Sequence, residues 1–462
     1  MRFAICFCAA ACFAQTIDRS KPPETPPLQP YNLPAVRESK LTNGLAVLLV
    51  EDKRFPLVTL RLAFRAGSRF DPASRYGVAE TLASLLKAGT TTRSARQIAE
   101  ELAAIGGSIN AGETADSLTI SASVLAEHTG KLLDLTADVV RSASFPQQEI
   151  DLRKQNRVQE LSLQRSQSNV LADEKLRAVV FGNHPYARTL PTPQSIRAIT
   201  RQDLIAFRDR LLTPGNAVLV LVGALPPEKQ MLEMVGARFG SWPAKPVPDV
   251  PASDLPKPER SITLIDRPGS AQVDILIGHI TVNRQHADYF PVLVGANILG
   301  GGASSRLFNN IREKQGFAYQ ANSHNMPFKD TGIHNVVTQV REEVVEPAMK
   351  AVFAELTRMG TEPVTAQELT DRKNYLNGIF VMQISNQDGV ASQLASLRMN
   401  GMPEEYLEKY VTNIRSVEPD QIQRVGAKYF SPEDAAIVVV GDASKIAEEV
   451  RKFGKVTIEK AQ

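Results

Sequence analysis

The chain has 462 residues, of which 43% are hydrophobic and 22% charged, and its 53 Lys and Arg against 50 Asp and Glu leave a net charge of +3. A length of this order predicts about two or three domains, each large enough to bury its own core. The near balance of charge argues against a nucleic-acid partner. Beyond the N-terminus the sequence has no apolar run of about 20 residues, which argues against a membrane-spanning chain.

The first residues have the pattern of a signal for export. A single basic residue, Arg2, is followed by a run of apolar and small residues, as in a short secretory signal. We therefore expect 1–14 to be a signal peptide and the protein to be exported, to the periplasm if the organism has two membranes. All three cysteines, Cys6, Cys8 and Cys12, lie in this segment. A lipid anchor at Cys12 is an alternative use of the same segment.

The predicted elements of the first half alternate between strands and helices. In chain order they are strands over 45–50 and 58–64, helices over 76–86 and 95–106, a strand over 117–124, and helices over about 130–142 and 147–168. The helix from 95 follows a capping box formed by Ser94 and Gln97. This order predicts an α+β sandwich with helices on one face of a sheet.

Two stretches of the sequence repeat each other at a nearly constant distance. The segment 195–223 resembles 413–441, and 413 − 195 = 218. A second match, QEIDLRK (148–154) against QELTDRK (367–373), is shifted by 219. Two matches at nearly one offset indicate an internal duplication, and two unrelated segments of mixed helix and strand are the alternative.

Proline-rich stretches mark the predicted domain boundaries. A spacer over 15–34 follows the signal, and a linker over 243–258 separates the repeats; such segments are extended and semi-rigid. The predicted domains are therefore 35–242 and 259–462, two homologous halves.

The helix predicted over 76–86 belongs to the segment GVAETLASLLKAGT, 77–90. This segment resembles the zinc site of the pitrilysin/insulysin peptidase family, which reads approximately GLAHFLEHMLFKGT. In that family the inverted motif H-x-x-E-H places two His ligands on one helix face beside a general-base Glu. The three chemical positions of the motif are here Glu80, Ala83 and Ser84.

The resemblance also implies a third zinc ligand, a Glu, which falls at Glu160, 160 − 84 = 76 residues after Ser84. Ser is a weak zinc ligand and Ala cannot act as a base, so Glu80 and Glu160 alone do not make a catalytic zinc site. We expect no cofactor bound by this chain, and a solvated helical Glu is the alternative role for Glu160. Because Glu160 is already in register, restoring His, Glu and His at the three motif positions is expected to recover metal binding; loss of the residues that orient the ligands is the alternative.

The second half contains LGGGASSRLFNNIREKQGFAY, 299–319. It resembles the C-terminal segment of the same family, roughly LGGG-SSRL-ELREKQGLAY, in which the Arg and the Tyr seven residues later reach substrate at the zinc of the other half. The matching residues are Arg312 and Tyr319. Arg offers forked donors to a peptide carbonyl, and a Tyr hydroxyl can stabilise an oxyanion. An exposed Arg paired with Glu313 or Glu343, and a Tyr packed on the sheet, are the alternative.

The glycines 300–302 stand before a predicted helix, where a phosphate-binding loop would lie. They lack the G-K-[ST] ending of such a loop, so nucleotide binding is not expected. A flexible hinge or a close approach of substrate backbone fits three successive glycines better.

The family resemblance implies a clam-shell arrangement of the two halves and a division of labour between chains. Half-size members of the family commonly work as pairs, one chain carrying zinc and the other the Arg/Tyr pair. We therefore expect a zinc-less, substrate-positioning subunit of a heterodimeric exported metallopeptidase. Its expected partners are a homologous chain with H-x-x-E-H, which holds the zinc, and a peptide substrate. A stand-alone peptide-binding or scaffold protein without catalysis, and a peptidase that uses unrecognised residues, are the alternatives.

Overall fold

The computed structural model of the protein describes most of the chain after the N-terminal segment. The described residues are 33–247, 253–257, 259–403 and 405–461. The predicted signal peptide, the alternative lipid anchor at Cys12, most of the proline-rich spacer and part of the linker lie outside these residues. Among the described residues, no helix is both long and apolar enough to cross a bilayer.

Within the described part of the first half, the chain forms six strands and eight α-helices. The strands are β1 (Val36–Lys40), β2 (Ala46–Glu51), β3 (Leu57–Phe64), β4 (Ser108–Glu113), β5 (Leu118–Leu125) and β6 (Ala217–Gly223). The helices are α1 (Val78–Leu85), α2 (Ala95–Ala104), α3 (Thr129–Arg141), α4 (Gln147–Arg165), α5 (Ser168–Phe181), α6 (Pro193–Ala198), α7 (Arg201–Leu211) and α8 (Glu228–Phe239). The elements predicted for this half are all present, with ends that lie within about three residues of the prediction.

The described part of the second half adds six strands and seven α-helices. The strands are β7 (Ser261–Asp266), β8 (Gln272–Thr281), β9 (Ala318–Pro327), β10 (Gly332–Arg341), β11 (Ala436–Gly441) and β12 (Val456–Lys460). The helices are α9 (Tyr289–Gly300), α10 (Val345–Thr361), α11 (Ala366–Gln383), α12 (Gln387–Asn400), α13 (Glu405–Arg415), α14 (Pro419–Tyr429) and α15 (Ala443–Arg451).

Each half builds one six-stranded sheet, and the two sheets share their arrangement. The strand orders are β1-β2-β6-β3-β5-β4 and β12-β7-β11-β8-β10-β9. The repeated apolar strand, β6 or β11, runs parallel to one neighbour and antiparallel to the other in both sheets. The edge strands β1 and β12 occupy equivalent places in the two sheets but differ in origin. β1 precedes its antiparallel neighbour β2, whereas β12 is added parallel to β7 near the end of the chain. The predicted α+β fold with two repeated halves is confirmed.

Two helices pack on the sheet of the opposite half. Helix α5 lies against β8 and β11, and α12 lies against β3 and β6. A Cβ on Gly278 would come within 2.9 Å of Leu176 of α5, so the glycine allows the helix to approach the strand closely. On the other sheet, Arg61 of β3 pairs with Asp388 of α12 at 2.6 Å. Each half therefore completes the core of the other, and the predicted domain boundaries stay predictions.

The first-half core fixes the position of α1. All seven residues of β6 are buried, and α1 packs its apolar face, including the fully buried Leu82, into the same core. The buried carboxylate of Asp71 caps the helix, accepting from the backbone N–H groups of Gly77 at 2.8 Å and Ala79 at 2.9 Å. This cap satisfies N–H groups that the first turn of a helix leaves unpaired.

A pair of histidines lies in the second-half core. His279 of β8 and His334 of β10 are cross-strand partners, 4% and 0% exposed, and their Nδ1 atoms are 3.3 Å apart. His334 Nε2 is 2.7 Å from the hydroxyl of Ser323, and His279 Nε2 is 2.9 Å from the carbonyl of Ser431. Two neutral rings satisfy this chain of hydrogen bonds, with Ser323 donating to His334, His334 to His279, and His279 to the carbonyl. Burial lowers the pKa of His279 to about 4 and lowers the pKa of His334 strongly.

Candidate functional site

The four positions that match the zinc site of the family lie where α1 meets α4. Glu80 is in the first turn of α1, and Glu160 is near the end of α4. Ala83 is buried in the first-half core. Ser84 is exposed, and its hydroxyl donates to the carbonyl of Thr81 in the same helix at 2.8 Å. Of the four predicted positions, the structure therefore links only the two glutamates through shared charged partners.

Two arginines of α4 bridge these glutamates. Arg153 donates to Glu80 at 2.7 Å and, from its other terminal nitrogen, to Glu160 at 3.1 Å. Arg157 Nε lies 2.7 Å from Glu80 Oε1, and Arg157 Nη1 lies 3.5 Å from Glu160 Oε2. Each guanidinium thus contacts both carboxylates. We call these four side chains the α1–α4 cluster.

The spacing along α4 explains the cluster. Arg153, Arg157 and Glu160 stand at positions i, i+4 and i+7, which lie on one face of a helix. The family motif includes the position of Glu160 but not those of the two arginines, and the i, i+4, i+7 spacing is the sequence signal that indicates them. Glu113, at the end of β4, interacts electrostatically with the same cluster. Burial and the charge of Glu80 raise the pKa of Glu113, and the charges of both arginines oppose that rise.

The residues of the α1–α4 cluster do not fit a zinc ion. A catalytic zinc takes three protein ligands, which are His nitrogens or carboxylate oxygens in this kind of site. Here both carboxylates are engaged by guanidinium groups, which stay protonated in proteins. Among the described residues, no group of three or more His, Cys, Asp or Glu side chains is placed to hold a metal ion.

The predicted substrate-contacting residues lie together at the edge of the second sheet. Arg312 belongs to a π-helical segment, Phe308–Lys314, and Tyr319 is near the start of the edge strand β9. The guanidinium carbon of Arg312 lies 4.6 Å from the centre of the Tyr319 ring and 4.7 Å from that of Phe308. Both distances are within the range of cation–π attraction. π-Helical turns occur frequently at functional sites.

Both side chains of this pair are accessible to a ligand. Tyr319 is 74% exposed, so it does not pack on the sheet. Arg312 Nε lies 3.5 Å from Glu313 Oε1, as the alternative interpretation expected. An exposed ion pair of this length contributes little free energy. The Glu313 contact therefore leaves Arg312 available to a stronger acceptor.

Tyr319 also lines a groove of about 780 Å³ on the second sheet. The other lining residues include Gln272 and Asp274 of β8 and Arg341 at the end of β10. Burial raises the pKa of Asp274. Most of the lining residues stand on β8, β9 and β10, so the groove lies across these three strands. Among the described strands, β9 pairs with β10 alone, which leaves the other side of its backbone without a strand partner. Such an edge can pair with an extended peptide.

The glycines before this segment serve the chain's own packing. A Cβ on Gly300 would lie 2.1 Å from the backbone nitrogen of Ser323 in β9, so only a glycine allows α9 to end against this strand. The backbone that approaches Gly300 is therefore that of the chain's own strand β9. A flexible hinge and a close approach of substrate backbone at this cluster stay predictions.

Comparison with known proteins identifies the family. Residues 46–194 match the family described as Insulinase (Peptidase family M16), and residues 198–376 match the one described as Peptidase M16 inactive domain. The chain belongs to peptidase family M16. The first match contains the α1–α4 cluster and the second contains Arg312 and Tyr319, so the predicted pitrilysin-family membership is confirmed.

Relatives of similar length share the family and the fold. An uncharacterized zinc protease of Rickettsia felis is 27% identical over 413 residues, which are 87% of this chain and 96% of that protein. A crystal structure of a peptidase M16 inactive domain from Pseudomonas fluorescens has a TM-score of 0.83 at 27% identity and covers 88% of this chain and 98% of its own. A protease from Helicobacter pylori, 22% identical, has the same fold, with a TM-score of 0.82 over 88% of this chain and 100% of its own.

Proposed function

We propose that this M16 chain is the zinc-less, substrate-positioning subunit of a two-chain exported metallopeptidase. The observation that carries the proposal is the contrast between its two sites. Arg153 and Arg157 engage both carboxylates at the zinc-site position. Arg312 and Tyr319 are stacked on each other and accessible to a ligand. A chain with this combination can contact a substrate but lacks the residues that activate water on zinc.

The proposed partner is a homologous chain that carries H-x-x-E-H and holds the zinc. A bound zinc polarises the scissile carbonyl as a Lewis acid. Tyr319 of this chain then donates a hydrogen bond to the carbonyl oxygen as negative charge develops there. Arg312 donates to a neighbouring peptide carbonyl and so fixes the register of the substrate.

The local geometry supports this pairing of roles. The ring of Tyr319 is held by the guanidinium of Arg312 at 4.6 Å, so the two donors share one surface. That surface lies at the start of the edge strand β9 and borders the groove. An extended peptide can add to the sheet at such an edge. A donor that is ordered before substrate binds loses less entropy on binding than a freely rotating one.

Export is a separate part of the proposal, and it rests on the pattern of 1–14. Mass spectrometry of the mature protein from its own organism tests it, because cleavage after Ala14 leaves a defined new N-terminus. Retention of the segment in the mature protein would contradict export by this signal. A lipid anchor would instead leave a modified N-terminal Cys12.

Affinity purification of the full chain from its own organism tests the partnership. We expect an M16 chain with an intact H-x-x-E-H motif to co-purify and the pair to cleave peptides. The isolated chain is expected neither to bind zinc nor to cleave peptides. The matched control is the pair in which a motif His of the partner is changed to Ala. Zinc and activity in the isolated chain would instead support the peptidase that uses other residues. Peptide binding without a partner would support the stand-alone alternative.

A further inference from the structure

We infer that Arg153 and Arg157 place fixed positive charge at the position of the lost zinc, so that restoring H-x-x-E-H alone does not restore a metal site. This inference rests on the proposed absence of zinc from the chain and adds the side chains that keep the metal out. It also revises the expectation from sequence that three replacements are enough.

The charge of the two arginines opposes a bound metal ion. A zinc ion bound by Glu160 would lie about 2.0–2.2 Å from a carboxylate oxygen. The same carboxylate already accepts from Arg153 at 3.1 Å and lies 3.5 Å from Arg157. Guanidinium groups cannot release their proton to reduce the repulsion. At a partly buried site, like charges at this range repel far more strongly than in bulk water.

The restored motif would also remove a partner of both arginines. Changing Glu80 to His removes a carboxylate that both arginines contact at 2.7 Å. Arg157 is only 7% exposed, so it cannot exchange the lost partner for bulk water without moving. Among the described residues, Glu160 is then the carboxylate left in a direct ion pair with both guanidiniums, while Glu113 acts on them at longer range. The restored motif would therefore compete with two cations for its own third ligand.

Arg157 is also held in place by a second acceptor. Its Nη1 donates to the side-chain carbonyl of Gln164 at 2.9 Å, two turns further along α4. Arg153 is less confined, because about a fifth of its side chain is exposed, 22%. Arg157 is thus the more persistent obstacle, and both arginines must lose their charge before a metal can replace them.

Three variants of the full chain test the inference. The first carries Glu80→His, Ala83→Glu and Ser84→His; the second adds Arg153→Gln and Arg157→Gln; the third adds Arg153→Lys and Arg157→Lys instead. After equilibrium dialysis against zinc, we expect about one zinc per chain in the Gln variant only. The zinc affinity of the other two should be weaker by at least a factor on the order of 10². The Lys variant is the matched control, since it has equally many substitutions but keeps the charge.

Tight zinc binding by the first or the Lys variant would overturn the inference, and so would a Gln variant that binds no zinc. Because Arg157 is buried and its loss can unfold a heavily substituted chain, a second measurement uses the natural background. Arg153→Gln/Arg157→Gln leaves Glu80 and Glu160 without their cations, so added Mn²⁺ should raise its melting temperature. Mn²⁺ should leave the wild type and Arg153→Lys/Arg157→Lys unchanged, and equal shifts in all three would overturn the inference.

These measurements need no partner chain. A failed role of Tyr319 in the complex would leave every one of them unchanged, so the inference and the proposed function fail separately.

Discussion

Lowering the pH from about 7.5 to about 5 is expected to destabilise the protein through the buried pair His279 and His334. A His in the unfolded chain has a pKa of about 6.5. In the folded protein, burial lowers the pKa of His279 to about 4, and burial together with the charges of His279 and His324 lowers the pKa of His334 well below the usual value. Below pH ~6.5 the unfolded state therefore binds more protons than the folded state.

The sign and size of the effect follow from this difference. The free energy of unfolding falls as the pH drops from about 6.5 toward about 4, and it is unaffected by these rings above about pH 7. At pH 5 protonation of the unfolded chain at His279 costs the folded state RT ln[(1 + 10^1.5)/(1 + 10^−1)], or about 2 kcal/mol, and His334, whose pKa is also lowered, adds to this loss. Since domains of this kind have total stabilities of about 5–15 kcal/mol, the loss is a large fraction of the total.

Urea unfolding followed by circular dichroism at the two pH values measures the effect. We compare the wild type with His279→Gln/His334→Gln, which is expected to be less stable at pH 7.5 but to lose at least about 2 kcal/mol less on acidification. Asp71, whose pKa burial raises to about 7, titrates in the same range with the opposite sign. Because Asp71 is present in both proteins, it cancels in the comparison. His286→Gln, at a half-exposed ring, is the control; an equal pH dependence of wild type and double variant would refute the reasoning.

Two further predictions concern single side chains, each paired with an exposed control and measured by urea unfolding. Glu80→Ala leaves the buried Arg157 with one carboxylate fewer and should cost about 2–3 kcal/mol, whereas Glu100→Ala, in an exposed pair, should cost less than about 0.5 kcal/mol. Leu176→Ala removes a fully buried side chain from the contact of α5 with the second sheet and should cost about 3 kcal/mol. Leu163→Ala, at a residue 69% exposed, should stay within about 0.5 kcal/mol; equal losses in variant and control would contradict either prediction.

The sequence predicted the local elements and the duplication because both leave periodic traces. The apolar strand ending at Gly223 recurs at Gly441, and both are central strands of equivalent sheets. The exchange of α5 and α12 could not be predicted this way. The buried face of α5, which includes Leu176, has the helical spacing that suits any apolar surface, and nothing in it specifies the second sheet. The specificity comes from contacts that exist in the folded chain, such as the close approach of Leu176 to Gly278.

Some residues of the candidate site could likewise be predicted from the sequence, and others could not. Glu80 and Glu160 could be located by comparison with the family motif, because the number of residues between the motif positions is fixed. The comparison did not reveal Arg153 and Arg157, since a motif reports only the positions that it contains. The ion pairs depend on how α1 is set against α4, which is a property of the whole core. A search of the α4 face around Glu160 would have found both arginines.

The turnover of the assembled pair carrying Tyr319→Phe tests the central claim most directly. Loss of one preorganised oxyanion donor typically lowers turnover on the order of 10²–10³-fold, and we expect that loss with no change in assembly or melting temperature, because Tyr319 is 74% exposed. Arg312→Ala should weaken substrate binding as well. Tyr375→Phe, an exposed tyrosine on α11, and Lys314→Ala are the matched controls and should leave turnover unchanged. Full turnover of the Tyr319→Phe pair would contradict the account.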